Sequence, residues 1–271
     1  MSAGARSPDR TRGGAEAGMA ATSRDALLGG RIVIRQPRQG ARVAVDSLLL
    51  AAALDAKAGA RALELGAGVG AVTLCAAVRL EEVSFTGLER EASLVRLARE
   101  NAACNRLQDR CRFVQGDVAD PPPAIRAAAP FDLVFFNPPY LAAGRADAPP
   151  DPLRRRAFVE EESMLGHWIR TAHELLAARG RLVLIHRADR LDEIITLLRP
   201  RRHFGAISVL PVQPRSEEPA RRVIVWARKN ARGPFTLLPA LCLHEDDGRF
   251  TAEAERILRA GDALSPLPGA R

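Results

Sequence analysis

The feature that most constrains the fold is an alternation of short apolar runs with helical patterns from residue 63 onward. The first run ends in glycine, and apolar side chains at helical spacing follow it. Strands are predicted at 63–66, 83–88, 111–114, 131–136, 181–186, 206–212 and 221–227. Helices are predicted at 71–80, 91–104, 160–178 and 189–198, with Gly180 as the left-handed C-cap of the third.

Strands that alternate with helices favour an α/β fold, in which a mostly parallel sheet has helices on both faces. The last two predicted strands, 206–212 and 221–227, are expected to pair with each other. Sheets of this kind bind ligands beyond the carboxyl ends of their strands. We therefore expect the chemistry to lie after residues 65, 88, 115 and 136.

A glycine-rich turn follows the first predicted strand, with Gly66, Gly68 and Gly70 at alternate positions. Glycines let the backbone turn tightly and approach a ligand that a Cβ atom would obstruct. Glu89 follows the next predicted strand, at a position where a carboxylate can accept hydrogen bonds from both hydroxyls of a ribose. The same glycines fit a dinucleotide fingerprint through Ala71, so these residues leave a nicotinamide-dependent enzyme open.

The sequence Asn137-Pro138-Pro139-Tyr140 follows the fourth predicted strand and carries the most chemical information. The two prolines fix φ and remove backbone donors, so the loop is stiff. A planar amino group is a poor nucleophile because its lone pair is delocalised. The Asn137 side-chain oxygen and the Pro138 carbonyl can hold its two hydrogens and favour a tetrahedral nitrogen, while Tyr140 offers a stacking surface. The alternative is a proline-rich turn that only caps a buried strand.

These residues resemble class I S-adenosylmethionine-dependent methyltransferases that carry an Asn-Pro-Pro-Tyr motif and methylate adenine, guanine N2 or glutamine amides. The resemblance implies a Rossmann-like, seven-stranded sheet and S-adenosylmethionine as the cofactor. It implies that Glu64 helps to bind the amino-acid end of the cofactor, and that Asp117, after Gly116, binds its adenine amino group. The alternatives are a solvated glutamate at a strand end and an ordinary turn aspartate.

The segment 36–50 precedes the core and resembles bacterial enzymes that methylate N6 of adenine 37 in a valine tRNA. Arg42 and Asp46 match positions of that family, and Asp46 is also a candidate N-cap for a helix that starts at Ser47. The catalytic loop is therefore predicted to be Asn137, Pro138, Pro139 and Tyr140. The predicted cofactor-binding residues are Arg42, Asp46, Glu64, Gly66, Gly68, Gly70, Glu89, Gly116, Asp117 and Asn137.

The predicted partner is RNA, with a tRNA anticodon loop favoured because its bases are already unpaired. The alternatives are the protein-glutamine methyltransferases of release factors, which typically carry a helical domain ahead of the core, and ribosomal RNA amino-methyltransferases. A binding partner without catalysis would be expected to lose the glycine turn or Asn137, and neither is lost. DNA adenine methyltransferases usually need a separate recognition domain, for which the chain has little room.

The chain is expected to comprise a disordered tail (1–24), a cofactor-covering segment (25–60), the core (61–230) and a C-terminal extension (231–271). The net charge of +8 suits a polyanionic partner, although 38 of its 40 basic residues are arginine and coding bias is an alternative cause. The four cysteines and five histidines lack metal-ligand spacing, so no metal is expected. Without an export signal or a membrane segment, a cytoplasmic monomer is the expectation.

Two further predictions concern the region after the catalytic loop. Residues 141–156 are expected to form a long loop, and Arg154, Arg155 and Arg156 at its end suggest a lid that grips phosphate or simply a solvated helix start. His167 and Trp168 in the following helix are expected to be packing residues.

Overall fold

A mostly parallel β-sheet forms the centre of the molecule. The computed structural model describes residues 22–39, 42–139, 152–199 and 203–265, with the backbone alone for 152–163. Its strands are β1 (Thr22–Leu27), β2 (Ile32–Pro37), β3 (Arg61–Leu65), β4 (Ser84–Glu89), β5 (Cys111–Gln115), β6 (Phe131–Phe136), β7 (Leu176–Arg187), β8 (Phe204–Gln213), β9 (Arg222–Lys229), β10 (Thr236–Leu237) and β11 (Leu241–Cys242). Its α-helices are α1 (Val45–Ala53), α2 (Ala71–Arg79), α3 (Ala92–Cys104), α4 (Pro123–Ala128), α5 (Pro152–Leu175), α6 (Leu191–Leu198) and α7 (Ala252–Glu255).

The strand order of the central sheet is β10-β8-β9-β7-β6-β3-β4-β5, and β11 also pairs with β8. Strands β7, β6, β3, β4 and β5 run parallel, whereas β9 is antiparallel to both β7 and β8. The predicted Rossmann-like sheet of seven strands is therefore confirmed, including the pairing of the last two. The two-residue strands β10 and β11 extend it beyond the prediction.

Two apolar clusters cover the two faces of the sheet. Alternate residues of the central strands supply them, so Ala62 and Phe135 lie in one cluster, and Leu63 and Phe136 lie in the other. Helices α1, α2 and α3 pack on the first face, and helices α4, α5 and α6 on the second. Because both faces are buried, β3 and β6 are nearly continuous apolar runs, as expected of central parallel strands.

An antiparallel hairpin of β1 and β2 precedes the core. Residues 22–24 belong to β1, so assigning them to a disordered tail was wrong, while residues 1–21 lie outside the described residues. The N-cap prediction was also wrong, because α1 begins at Val45 with Ala44 as its N-cap. The Asp46 carboxylate instead accepts a 2.7 Å hydrogen bond from Arg222 Nε, which holds it toward β9.

Part of the C-terminal extension is built into the core. Strands β10 and β11 pair with β8, and α7 continues into a π-helical turn at Arg256–Ala260 whose Ile257 and Leu258 are buried. Leu264 N donates a hydrogen bond to the Ala52 carbonyl of α1 over 3.0 Å. Removing this segment would expose apolar surface of α1, so we expect it to stabilise the fold.

Two predictions around α5 were wrong. The helix begins at Pro152 rather than Glu160, so the last residues of the loop predicted at 141–156 are helical; residues 140–151 lie outside the described part. Gly180 is not a left-handed C-cap, because the helix ends at Leu175 and the chain passes directly into β7. The residue with positive φ is Arg179, at +63°. Gly180 instead allows close approach, since an added Cβ would lie 2.9 Å from the Ala177 oxygen.

Candidate active site

The carboxyl ends of four neighbouring parallel strands bring the predicted site residues to one edge of the sheet. Leu65 pairs with both Leu88 and Phe136, and Glu89 pairs with Gln115. Adjacent strands lie about 4.8 Å apart, so the loops that follow these residues are neighbours. Two backbone hydrogen bonds of 2.9 Å tie the loops together, from Ala67 N to the Leu88 oxygen and from Gly116 N to the Glu89 oxygen.

The glycine turn has the conformation that its sequence requires. Gly66, Gly68 and Gly70 all have positive φ, a region in which a side chain is strained. A Cβ atom on Gly66 would lie 2.4 Å from the ring of Trp168, whereas a Cβ on Gly68 would have nothing within 4 Å. Gly66 is therefore needed for packing, and Gly68 leaves space open beside the backbone. Trp168 is buried against Phe136 with ring centroids 5.4 Å apart, which confirms it as a packing residue.

Glu89 is oriented by backbone donors. Its Oε2 accepts a 2.8 Å hydrogen bond from Gly68 N, and its Oε1 accepts a 2.9 Å hydrogen bond from Glu91 N. A carboxylate oxygen can accept more than one hydrogen bond, so both oxygens retain capacity for a ligand. The carboxylate of Glu89 is thus fixed beside the glycine turn. This position suits its predicted role, which is to accept hydrogen bonds from the two hydroxyls of a ribose.

Glu64 lies beneath the turn. Its side chain is buried, and its Oε2 accepts hydrogen bonds from Thr73 Oγ1 (2.5 Å) and Thr73 N (3.2 Å) at the start of α2. Burial raises its pKa to about 8, which the Thr73 hydrogen bonds oppose and the charge of Glu89 reinforces. A solvated glutamate at a strand end, the alternative raised by the sequence, is therefore wrong. A cationic ligand group would favour the ionised form.

Gly116 and Asp117 follow β5 at the same edge. An added Cβ on Gly116 would lie 2.5 Å from Pro122 Cδ, so the turn is closely packed there. Asp117 is exposed, and its Oδ1 accepts a 2.8 Å hydrogen bond from Ala119 N. This contact is the ordinary turn role of an aspartate. The second oxygen of the exposed carboxylate leaves an acceptor for an amino group of a ligand.

The loop after β6 follows the strand next to the glycine turn. Phe136 is fully buried, Asn137 is half-buried, Pro138 is buried and Pro139 is exposed. Because Phe136 pairs with Leu65, Asn137 and Gly66 are the first residues beyond two adjacent strands. Tyr140, predicted as the stacking residue, lies outside the described residues.

A buried histidine near the end of β7 was not predicted from the sequence. Phe136, the last residue of β6, pairs with Leu184 of β7, and His186 lies two residues further along β7. Burial and the positive charge of Arg190 lower the pKa of His186 to about 4. The imidazole is therefore neutral at physiological pH.

Asn101 of α3 was also missed, and it joins the glycine turn to the N-terminal hairpin. The side chain is fully buried, and its Nδ2 donates to the Val69 oxygen and to the Arg35 oxygen, each over 3.0 Å. Its Oδ1 accepts a 2.7 Å hydrogen bond from Arg35 N. The sequence signal was a single polar residue on the apolar face of a predicted helix, whose partners only the tertiary structure supplies.

Arg42 and Asp46, predicted as cofactor-binding, are engaged by protein side chains. Arg42 Nη2 contacts both carboxylate oxygens of Asp25 at 3.2 Å, and Asp46 pairs with Arg222. Hydrogen bonds from Gln36 and Ser23, with the charge of Arg42, lower the pKa of Asp25. Arg42 therefore belongs to a polar network of the hairpin, and its contact with the cofactor, like that of Asp46, stays a prediction.

Across the residues that the structure describes, no helix is long and apolar enough to span a membrane. In the same residues, no three histidine, cysteine, aspartate or glutamate side chains are grouped as metal ligands would be.

The known proteins that resemble this chain are methyltransferases. The family model of the methyltransferase small domain matches residues 40–210. A tRNA1(Val) (adenine(37)-N6)-methyltransferase of Porphyromonas gingivalis is 31% identical over 192 residues, which cover 68% of this chain and 72% of the relative. A 4-amino-L-phenylalanine/4-methylamino-L-phenylalanine methyltransferase of Streptomyces pristinaespiralis is 33% identical over 131 residues, which cover 46% of this chain and 43% of that protein.

One solved structure resembles the chain over most of its length. The crystal structure of a predicted O-methyltransferase from Agrobacterium tumefaciens superposes with a TM-score of 0.66 at 27% sequence identity. The match covers 81% of this chain and 98% of that structure.

Proposed function

Because the chain belongs to the methyltransferase small domain family, we propose that it methylates an exocyclic amino nitrogen with S-adenosylmethionine, and that the acceptor is adenine N6 in tRNA. The observation that carries the proposal is the position of Asn137 and Pro138. They follow β6 directly, and β6 pairs with β3, which the glycine turn follows. The Glu89 carboxylate at the end of β4 accepts a hydrogen bond from that turn. Hydrogen-bond acceptors for an amino nitrogen therefore lie next to residues that suit a nucleoside cofactor.

The residues at the strand ends fit S-adenosylmethionine chemically. Glu89 offers a fixed carboxylate to ribose hydroxyls, and Asp117 offers an exposed oxygen to an adenine amino group. Glu64, buried beneath the turn, offers a carboxyl to an ammonium group, and the open side of Gly68 admits a ligand close to the backbone. We propose Glu64, Gly66, Gly68, Gly70, Glu89, Gly116 and Asp117 as the cofactor-binding residues.

When bound, S-adenosylmethionine would supply an electrophilic methyl group to the acceptor nitrogen, with its sulfur as the leaving group. Asn137 Oδ1 and the Pro138 carbonyl accept hydrogen bonds from the two amino hydrogens, so the lone pair is directed at the methyl group. Orientation and exclusion of water supply most of the acceleration. The alkylated nitrogen is acidic, so no dedicated base is required.

Two considerations support a nitrogen acceptor on an aromatic ring. The names of both relatives describe acceptors of this type, one an adenine N6 and the other a 4-amino-phenylalanine. A hydroxyl acceptor carries one hydrogen and needs a base, whereas the Asn137-Pro138 pair offers two hydrogen-bond acceptors. The net charge of +8 is consistent with a polyanionic substrate.

The test is transfer of labelled methyl from S-adenosylmethionine to bulk unmodified tRNA, with release factor as a parallel acceptor. Nucleoside analysis should find the label as N6-methyladenosine in tRNA, and the Asn137→Ala variant should form it about a hundredfold more slowly or less. Label found only in release-factor glutamine would reject the RNA acceptor but retain methyl transfer to an amide nitrogen. Failure to bind S-adenosylmethionine would reject the proposed activity itself.

A further inference from the structure

A cavity lies at the edge of the sheet opposite the candidate active site, where the parallel strands begin. Its volume is about 480 Å³, and its walls come from the turn between α1 and β3, the start of β6, the first part of β7 and the end of β9. Strand β3 has five residues and so separates this cavity from the strand ends of the candidate active site by about 17 Å, at 3.3 Å per residue. The cavity therefore has no part in the site described above.

The charged residues that line the cavity are mostly basic. They are Lys57, Arg179, Arg181 and Arg228, opposed by Asp55 and Asp132. Arg181 Nη1 pairs with Asp55 at 3.2 Å, and Asp132 Oδ2 accepts a 2.9 Å hydrogen bond from Arg61 N. Within the described ranges, neither Arg179 nor Arg228 has a carboxylate at ion-pair distance. Positive charge therefore exceeds negative charge here by two.

The arginines are held close enough to affect one another. Burial lowers the pKa of Arg228, and the charges of Arg181 and Arg179 lower it further, whereas Asp55 acts in the opposite direction. Arg228 and Arg181 also face each other as a pair in the antiparallel register of β7 and β9. In the described part of the chain, Asp55 pairs with Arg181 alone, so a net positive charge remains across the two strands, and like charges on opposed strand positions are unfavourable. An anion in the cavity would relieve this repulsion.

The backbone that lines the cavity departs from regular strand geometry. Arg179 has φ of +63°, which is uncommon for a residue other than glycine, and the pairing of β6 with β7 shifts register between Phe131 and Leu133. Gly180 permits the close approach of the Ala177 and Asp132 carbonyls. Such local departures from regular strand geometry cluster at binding sites. Here they bring Arg179 into the same cavity as Arg181 and Arg228.

We propose that this cavity binds a phosphate group through the guanidinium groups of Arg179, Arg181 and Arg228. Guanidinium groups form paired hydrogen bonds with phosphate oxygens, and their positive charge is balanced by the anion. The phosphate comes either from the backbone of an RNA substrate, which rests on the proposed function, or from a small phosphorylated ligand. Binding of phosphate itself does not require methyl transfer.

The first test is calorimetric titration of inorganic phosphate and pyrophosphate into the full chain at low ionic strength. Arg179→Gln and Arg228→Gln should each weaken binding about tenfold or more, because each removes a charged hydrogen-bond donor. Arg249→Gln is the matched control, since Arg249 is 84% exposed in the C-terminal extension and pairs with Asp247. No saturable binding to the wild type, or equal binding by Arg179→Gln and the wild type, would overturn the proposal. Arg179 is exposed, so its variant guards against a folding defect in Arg228→Gln.

The second test separates the two sources of phosphate. If the group belongs to an RNA backbone, Arg179→Gln should weaken tRNA binding and reduce the slope of log affinity against log salt by about one. If it belongs to a small ligand, pyrophosphate binding should fall while tRNA affinity and its salt slope stay at the wild-type values. Either result supports a phosphate site. The phosphate titration tests this site independently of the proposed function, because it requires no methyl acceptor.

Discussion

Asn101 Nδ2 donates a hydrogen bond to the Val69 carbonyl over 3.0 Å, joining the last turn of α3 to the glycine turn. The same side chain holds both the N–H and the carbonyl of Arg35 in the N-terminal hairpin. One buried amide thus fixes the hairpin and the cofactor turn relative to each other. A buried polar group of this kind is costly to leave unpaired, so its three contacts act as a unit.

We predict that Asn101→Ala weakens S-adenosylmethionine binding by about tenfold and lowers the free energy of unfolding by about 2 kcal/mol. Cofactor affinity should fall because Asn101 would no longer hold the Val69 carbonyl of the glycine turn and the N-terminal hairpin in position. Asn105→Ala is the matched control, since Asn105 binds both backbone groups of Val33 but none of the glycine turn. Equal effects of the two substitutions on cofactor affinity, measured by calorimetry, would show that Asn101 only supports the fold.

Gly68→Ala is predicted to separate folding from cofactor binding. The positive φ of Gly68 makes alanine cost roughly 1 kcal/mol, but its Cβ would meet no protein atom within 4 Å. The added methyl would instead occupy the space proposed for the ligand, so cofactor affinity should fall at least tenfold. Gly248→Ala carries the same backbone strain, with φ of +85° and open surroundings, and lies in the C-terminal extension. Unchanged affinity in Gly68→Ala would place the cofactor elsewhere.

The sequence alone predicted the elements whose conformation depends on residues that are close together in the chain. Strand β6 was predicted with its exact bounds, because a run of apolar residues between a proline and Asn137 has few other solutions. The glycine turn could also be predicted from the sequence, because glycine is the residue that most readily adopts the positive φ found at Gly66 and Gly70. These signals are short-range, and they identified the edge of the sheet at which the candidate site forms.

The missed features depend on contacts distant in sequence. Asp46 lies where an N-cap is common, yet it pairs with Arg222, 176 residues away, and the helix begins at Val45, two residues before the predicted start. Gly180 follows a helix as a C-cap would, but close packing beside β6 explains it. The C-terminal strands have only two residues each, too short to show a period of alternation. Tertiary pairing, rather than local propensity, decided all three.

The buried carboxyl of Glu64 predicts that stability decreases with rising pH. Its pKa in the folded chain is about 8 against an ordinary 4.5, so the folded state holds a proton that the unfolded state lacks between those values. The free energy of unfolding therefore falls as pH rises toward 8. His186 has the opposite sign, but only below its ordinary pKa of 6.5. The effect of Glu64 should thus be clearest between pH 6.5 and 8.

Glu64→Gln should flatten that pH dependence, because the amide carries no charge at either pH and its oxygen still accepts from Thr73. Urea denaturation of the cofactor-free protein at pH 6.5 and pH 8 measures both slopes. A variant that retains the wild-type loss of stability would assign the titration to another group. The same variant should bind S-adenosylmethionine more weakly if Glu64 holds its ammonium group, which tests the proposed role independently.

Asn137→Ala tests the chemistry without removing the cofactor contacts. Loss of one positioned hydrogen-bond acceptor should lower the single-turnover rate of methyl transfer by about a hundredfold or more. The dissociation constant for S-adenosylmethionine should change little, since Glu89 and Asp117 are untouched and lie at the ends of other strands. Asn105→Ala serves again as the control, because it makes the same substitution away from the strand ends. A parallel loss of cofactor affinity and rate would make Asn137 a cofactor ligand rather than the group that orients the acceptor nitrogen.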